Sequence, residues 1–67
     1  MTTRLTTRER ETLTLIASGH NIKDIAQEMM ITERGAKFHL DSLRRKFGVK
    51  HRFELVKIGQ SYGKGTQ

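Results

Sequence analysis

The chain has 67 residues, enough for one domain and too few to hide more than roughly 60% of its unfolded surface. It contains no cysteine, which excludes disulfides and the thiolate zinc sites that brace many small domains. No apolar run approaches the ~20 residues of a membrane span, and the opening MTTRLTTRER lacks the apolar stretch of a signal peptide, so a cytoplasmic location is the expectation.

The net charge is +6, and it is concentrated: residues 34–52 hold seven Lys and Arg against one acid, a surplus equal to that of the whole chain. Such a segment fits a polyanion surface, with a solvated helix face as the plain alternative. Proline is absent, and apolar residues recur at three and four rather than alternating, which favours an all-α chain.

In LTTRERETLTLIASG, Thr6 is placed as an N-cap with Glu9 three residues on, a capping box. Leu13, Ile16 and Ala17 then form the inward stripe and Gly19 the stop, which predicts a first helix over about 7–18. HNIKDIAQEMMI repeats the device with Asn21 as cap and Ile22, Ile25, Ala26 and Met29 as stripe, for a second helix over about 22–29.

Only Met30, Ile31 and Thr32 intervene before helical spacing resumes in ITERGAKFHLDSLRRKFG, with Thr32 as cap and Glu33 suited to the positive end of the helix dipole. The third helix is predicted over about 33–47, ended by Gly48. Ala36, Leu40, Leu43 and Phe47 share its buried stripe, whereas Arg34, Lys37, Phe38, Asp41 and Arg45 fall on another side. Gly35 in its first turn is a weak helix former whose missing side chain wants an explanation.

KHRFELVKIGQSYGKGTQ supplies a fourth helix over about 51–60 with Phe53, Leu55, Val56 and Ile58 apolar. Glycines at 59, 63 and 65 point to a flexible tail over 61–67, matched by a flexible 1–5 at the other end of a single domain, 1–67. A short helix, a tight turn and a basic helix with an apolar rear face form a helix-turn-helix layout, whose second helix can fill a major groove. Small helical domains of this size also serve as protein-interaction modules.

The pieces LTTRE, LIASG, IKDIA, KFHL and RRKFGVKHR occur in order over residues 5–58, and in them the chain resembles the LuxR-type (GerE/FixJ) helix-turn-helix family of bacterial transcription regulators. Five spaced matches are more specific than any one short motif. The resemblance implies a four-helix domain whose third helix reads double-stranded DNA and whose fourth serves in dimerisation.

Carried over by position, the family's base-facing places fall on Lys37, Phe38 and Asp41, the face that helical geometry also selects. For Asp41 the alternatives are a cytosine amine and a neighbouring cation, with Arg45 at i+4 the obvious candidate. Lys23 and Thr32 match places that meet the DNA backbone, and Arg34, Arg44, Arg45, Lys46, Lys50 and Arg52 are further phosphate candidates. Arg8 and Glu9 match an Arg-Glu pair read as mainly structural. Phe53, Leu55, Val56 and Ile58 are the dimer candidates. The family's usual Thr-Val pair is replaced by Gly35 and Ala36, which removes a hydroxyl that could meet a phosphate.

His20, His39 and His51 lie on separate elements without ligand spacing, and no phosphate loop, nucleophile elbow or paired-carboxylate signal occurs, so neither an enzyme nor a metal or cofactor site is expected. The functional expectation is a nucleoid-associated, sequence-specific transcription regulator acting as a homodimer. The alternative is a small protein that pairs with a full-length LuxR-type regulator and modulates or blocks it. Because the sequence reaches the first capping box within six residues of Met1, the chain is expected to be either a free-standing regulator or an excised domain.

Overall fold

A computed structural model describes the backbone of residues 4–65 and the side chains through residue 61. Its helices are α1 (Thr7–Ala17), α2 (Ile22–Met29), α3 (Glu33–Phe47) and α4 (Arg52–Gly65). No strand occurs among the described residues. The chain is therefore all-α, with the four helices in the order the sequence predicts.

The starts are fixed by side-chain caps that satisfy amides with no partner inside the helix. Thr6 Oγ1 accepts from the Glu9 amide at 3.1 Å, and Glu9 Oε1 accepts from the Thr6 amide at 3.0 Å, completing the capping box. Asn21 Oδ1 accepts from the Asp24 amide at 2.8 Å, and Thr32 Oγ1 from the Gly35 amide at 3.0 Å. The ends of α2 and α3 are closed by left-handed residues. Gly48 (φ 68°) lets the Val49 amide donate to Arg44 O at 3.0 Å. Met30 (φ 58°) does the same for α2, where the Ile31 amide donates to Ala26 O at 2.9 Å. A methionine in that conformation carries a steric cost that glycine escapes.

The core draws on all four helices: Leu13 and Ile16 from α1, Ile25, Ala26 and Met29 from α2, Ala36, Leu40 and Leu43 from α3, and Leu55 from α4. Phe47, expected in the buried stripe of α3, is half-buried and packs against this cluster. Thr12 is fully buried, a polar residue the apolar pattern did not single out. Its hydroxyl donates to Arg8 O at 2.8 Å, the usual way a helix absorbs a buried threonine, and lies 3.3 Å from Met29 Sδ.

The structure extends α4 beyond its expected end and ties down part of the N-terminal segment. The helix starts at Arg52 and runs to Gly65 rather than ending near 60. With no proline to stop it, propagation outlasts the glycines. Gly59 is also required where it stands: a β-carbon there would lie 2.7 Å from Ala17 Cβ and 2.9 Å from Leu13 O, so this glycine is what lets α4 approach α1. At the other end Leu5 packs against the core and Arg4 O accepts from Lys46 Nζ at 3.1 Å, which anchors two of the five residues expected to be flexible. Residues 1–3 and 66–67, included in that expectation, lie outside the described residues.

Candidate nucleic-acid interface

The second helix of the pair presents its charged side because its other side is fully used. Ala36, Leu40 and Leu43 fall one turn apart and are buried at 0%, 5% and 0% exposure. At 100° per residue the direction opposite belongs to Arg34, Phe38 and Arg45, flanked by Lys37 and Asp41. Arg34, Lys37, Phe38 and Arg45 are exposed, and Asp41 is half-exposed. Phe38 stands out among them, a phenylalanine 63% exposed in the middle of a cationic face, with the His39 ring edge-on at 5.8 Å.

The turn from α2 to α3 brings further groups to the same end of the domain. A hollow between the first turns of α2 and α3 is lined by Ile22, Glu33, Arg34 and Lys37, and exposed Lys23 sits beside Ile22 in the first turn of α2. Thr32 spends a lone pair on its cap, yet its hydroxyl proton stays free to donate outward. Gly35 is half-buried and not crowded: an added β-carbon would meet Thr32 Oγ1 at 3.4 Å and Ile31 Cδ1 at 3.7 Å, ordinary contacts.

Not every cation of the 34–52 cluster is without a partner inside the chain. Lys46 shares a flank of α3 with Ser42, one turn before it, and this flank is turned to α1. There Lys46 Nζ donates to Glu9 Oε1 at 2.6 Å, while Ser42 Oγ donates to Glu9 Oε2 at 2.5 Å. The Glu9 side chain is only 6% exposed. Burial alone would raise its pKa, but the hydrogen bonds from Lys46, Ser42 and the Thr6 amide, with the attraction of the Lys46 charge, outweigh that and hold it at about 2. Lys46 is thus a strut between helices, with its side chain still 35% exposed. Glu9 has the structural role expected of it.

Asp41 has found a neighbouring cation, but it is Arg44 rather than Arg45. Arg44 Nη2 donates to Asp41 Oδ1, and Arg44 Nη1 reaches Lys50 O at 3.4 Å. Both the i,i+3 and the i,i+4 cation are within ordinary reach of Asp41 along the helix surface. Arg34, Lys37, Arg45, Lys50, Arg52 and Lys23 make no side-chain ion pair among the described residues.

The four dimer candidates separate. Leu55 is fully buried in the core and so unavailable, a correction, while Val56 and Ile58 are half-buried against it. Phe53 is 61% exposed, with the His51 ring stacked on it at 5.4 Å. The histidines remain apart: His20 Nδ1 lies 3.1 Å from Leu15 O, and no cluster of three metal-ligating side chains forms among the described residues. No helix among those residues is long and apolar enough to cross a membrane.

Residues 3–58 match the GerE family, described as bacterial regulatory proteins, luxR family. The chain is 37% identical over 60 residues to the spore germination protein GerE of Bacillus subtilis, an alignment covering 84% of this chain and 81% of that protein. It is 37% identical over 59 residues to the transcriptional regulatory protein DesR of the same organism, covering 88% of this chain and 30% of DesR. Against the HTH-type transcriptional regulator MalT of Yersinia pestis it is 41% identical over 59 residues, 88% of this chain and 6% of MalT. The chain thus spans nearly the whole of one relative and a small part of the others.

Proposed function

This chain belongs to the LuxR family of bacterial regulatory proteins, and on that premise we propose that it binds duplex DNA with α3 in the major groove and regulates transcription. The observation that carries the reading is Phe38, left 63% exposed between Arg34, Lys37 and Arg45 on the face of α3 opposite the core. Leaving a large apolar ring in water has no folding benefit. On the floor of a major groove it packs against a thymine methyl, while Lys37 donates to guanine O6 and N7.

Arg34, Arg45, Lys50, Arg52 and Lys23, with the Thr32 hydroxyl, are the groups we assign to phosphates, since no ion pair holds the cations elsewhere among the described residues. The protein works as a homodimer through α4, with Phe53 as the apolar contact and Val56 and Ile58 at its edge. Such a regulator acts on chromosomal DNA in a bacterial cytoplasm. The same exposed Phe53 supports pairing with a full-length relative as a second reading, but a pure blocker would have no use for the cationic face.

Selection of bound duplexes from a random pool tests the proposal. Enrichment of two related half-sites at a fixed spacing is the expected result. Recovery of unrelated sequences would refute groove reading, and a single half-site bound by a monomer would refute the role of α4.

A further inference from the structure

Asp41 is the one acid among the residues of the groove-facing side of α3, and it does not stand alone there. Its carboxylate is paired with Arg44, and both side chains remain partly open to solvent, at 48% and 33% exposure. They line a shallow depression at the distal end of α3 together with Arg45, Gly48, Val49 and Lys50. The Arg44 guanidinium donates to the Asp41 carboxylate through Nη2 and reaches the Lys50 carbonyl at 3.4 Å through Nη1.

From this arrangement, and resting on the DNA reading above, we infer that Asp41 is an affinity-setting residue that acts by withholding Arg44 from the phosphate backbone. An ion-paired guanidinium contributes little field at the distance of a phosphate, because the adjacent carboxylate cancels it. It also releases no counterion from DNA, since that release requires a phosphate to be neutralised. Phosphate contacts carry affinity without sequence information, whereas Lys37 and Phe38 carry the sequence. Withholding one phosphate contact from the set lowers binding to every duplex alike, and with it the salt dependence, and leaves the preference between sequences unchanged.

The pairing accounts for two features together. An acid on a DNA-facing surface is repelled by phosphates unless a partner offsets its charge, and Arg44 is that partner. The cluster at 34–52 is rich in cations, yet two of them, Arg44 and Lys46, are drawn into internal ion pairs, so the working cationic face is smaller than the composition implies.

The test is the salt dependence of binding to a mixed-sequence duplex, measured for the full chain and for Asp41→Asn, Asp41→Glu, Arg44→Gln and the Asp41→Asn/Arg44→Gln pair. Asp41→Asn frees Arg44, so the slope of log K against log salt steepens by about 0.9 and affinity near 0.1 M salt rises about 5- to 10-fold. Asp41→Glu keeps the pair and the original slope. In the Arg44→Gln background, Asp41→Asn leaves the slope unchanged.

An unchanged slope in Asp41→Asn overturns the inference. So does a steeper slope in both backgrounds, which would make Asp41 a simple repulsive charge. Weaker binding of Asp41→Asn overturns it in a third way, because the acid would then be accepting from a base. Wild-type protein that shows no salt-dependent binding defeats the DNA reading and this inference with it. A wild type that binds, with variants that do not separate, defeats this inference alone.

Discussion

Substituting Gly59 by alanine probes the packing that holds the domain together. The added β-carbon would stand 2.7 Å from Ala17 Cβ and 2.9 Å from the Leu13 carbonyl oxygen, atoms fixed to the backbone of α1 that no rotamer change can move. Two effects oppose each other. Alanine is the better helix former by about 1 kcal/mol. Overpacking by one methyl costs typically 1–3 kcal/mol, with about 3 appropriate where the obstacle is rigid. The clash wins, leaving a net loss of about 2 kcal/mol, which for a domain of this size lowers the melting temperature by roughly 10 °C.

Far-UV circular dichroism during thermal and urea unfolding measures this loss, at two protein concentrations so that subunit dissociation is not mistaken for unfolding. A Gly59→Ala protein that melts at or above wild type would mean that helix propensity outweighs the contact, and the close approach of α4 to α1 would be wrong.

Other outcomes follow from the same contacts. Gly35→Ala adds a β-carbon in ordinary contact with Thr32 and Ile31, so it stabilises by about 0.5 kcal/mol; a loss in the same urea series would show that the first turn of α3 is tighter than its geometry. Met30→Gly relieves a left-handed residue whose side chain is 91% exposed and raises stability by about 0.5–1 kcal/mol after the entropy of the unfolded chain is counted. A fall instead would reveal a contact made by the methionine.

Glu9, lowered from its usual 4.5 to about 2, contributes stability that is fully present above pH 4.5 and lost as pH falls through 2. The contribution is of order 3 kcal/mol. Glu9→Gln is therefore less stable at pH 7 and has a flatter stability profile between pH 4.5 and 2 than wild type; parallel profiles would remove Glu9 from acid unfolding. Arg45→Ala weakens binding to all duplexes and reduces the salt slope by about 0.9, whereas Lys37→Ala mainly reduces discrimination between sequences. An exchange of these two phenotypes would put the wrong side of α3 in the groove.

The helix starts, the tight turn and the buried stripe of α3 were legible because they depend on residues three or four apart. Thr6, Asn21 and Thr32 each cap an amide three residues on, and Gly48 closes α3 in the conformation glycine favours. What could not be read depends on groups distant in sequence. Lys46 looked like any other cation of the cluster until α1 brought Glu9 beside it from 37 positions away. Leu55 looked like a dimer residue because helical spacing marks an apolar position without saying which neighbour covers it. Gly59 looked like a helix breaker, since a glycine required by close packing and one that ends a helix are identical in sequence. Asp41 had two cations within reach, at i,i+3 and i,i+4, and helical spacing alone does not choose between them; the structure pairs it with Arg44.

The claim that α3 lays a cationic, sequence-reading face in the major groove is tested most directly by the affinity of the full chain for a selected duplex across a range of salt. With Arg34, Arg45, Lys50, Arg52 and Lys23 available, log K should fall against log salt with a slope of roughly −2.7 to −4.5 per chain, from about 3–5 neutralised phosphates. The preference for the selected duplex over a mixed one should persist throughout that range. Binding that is absent at low salt, or that is as strong at high salt as at low, would contradict the account.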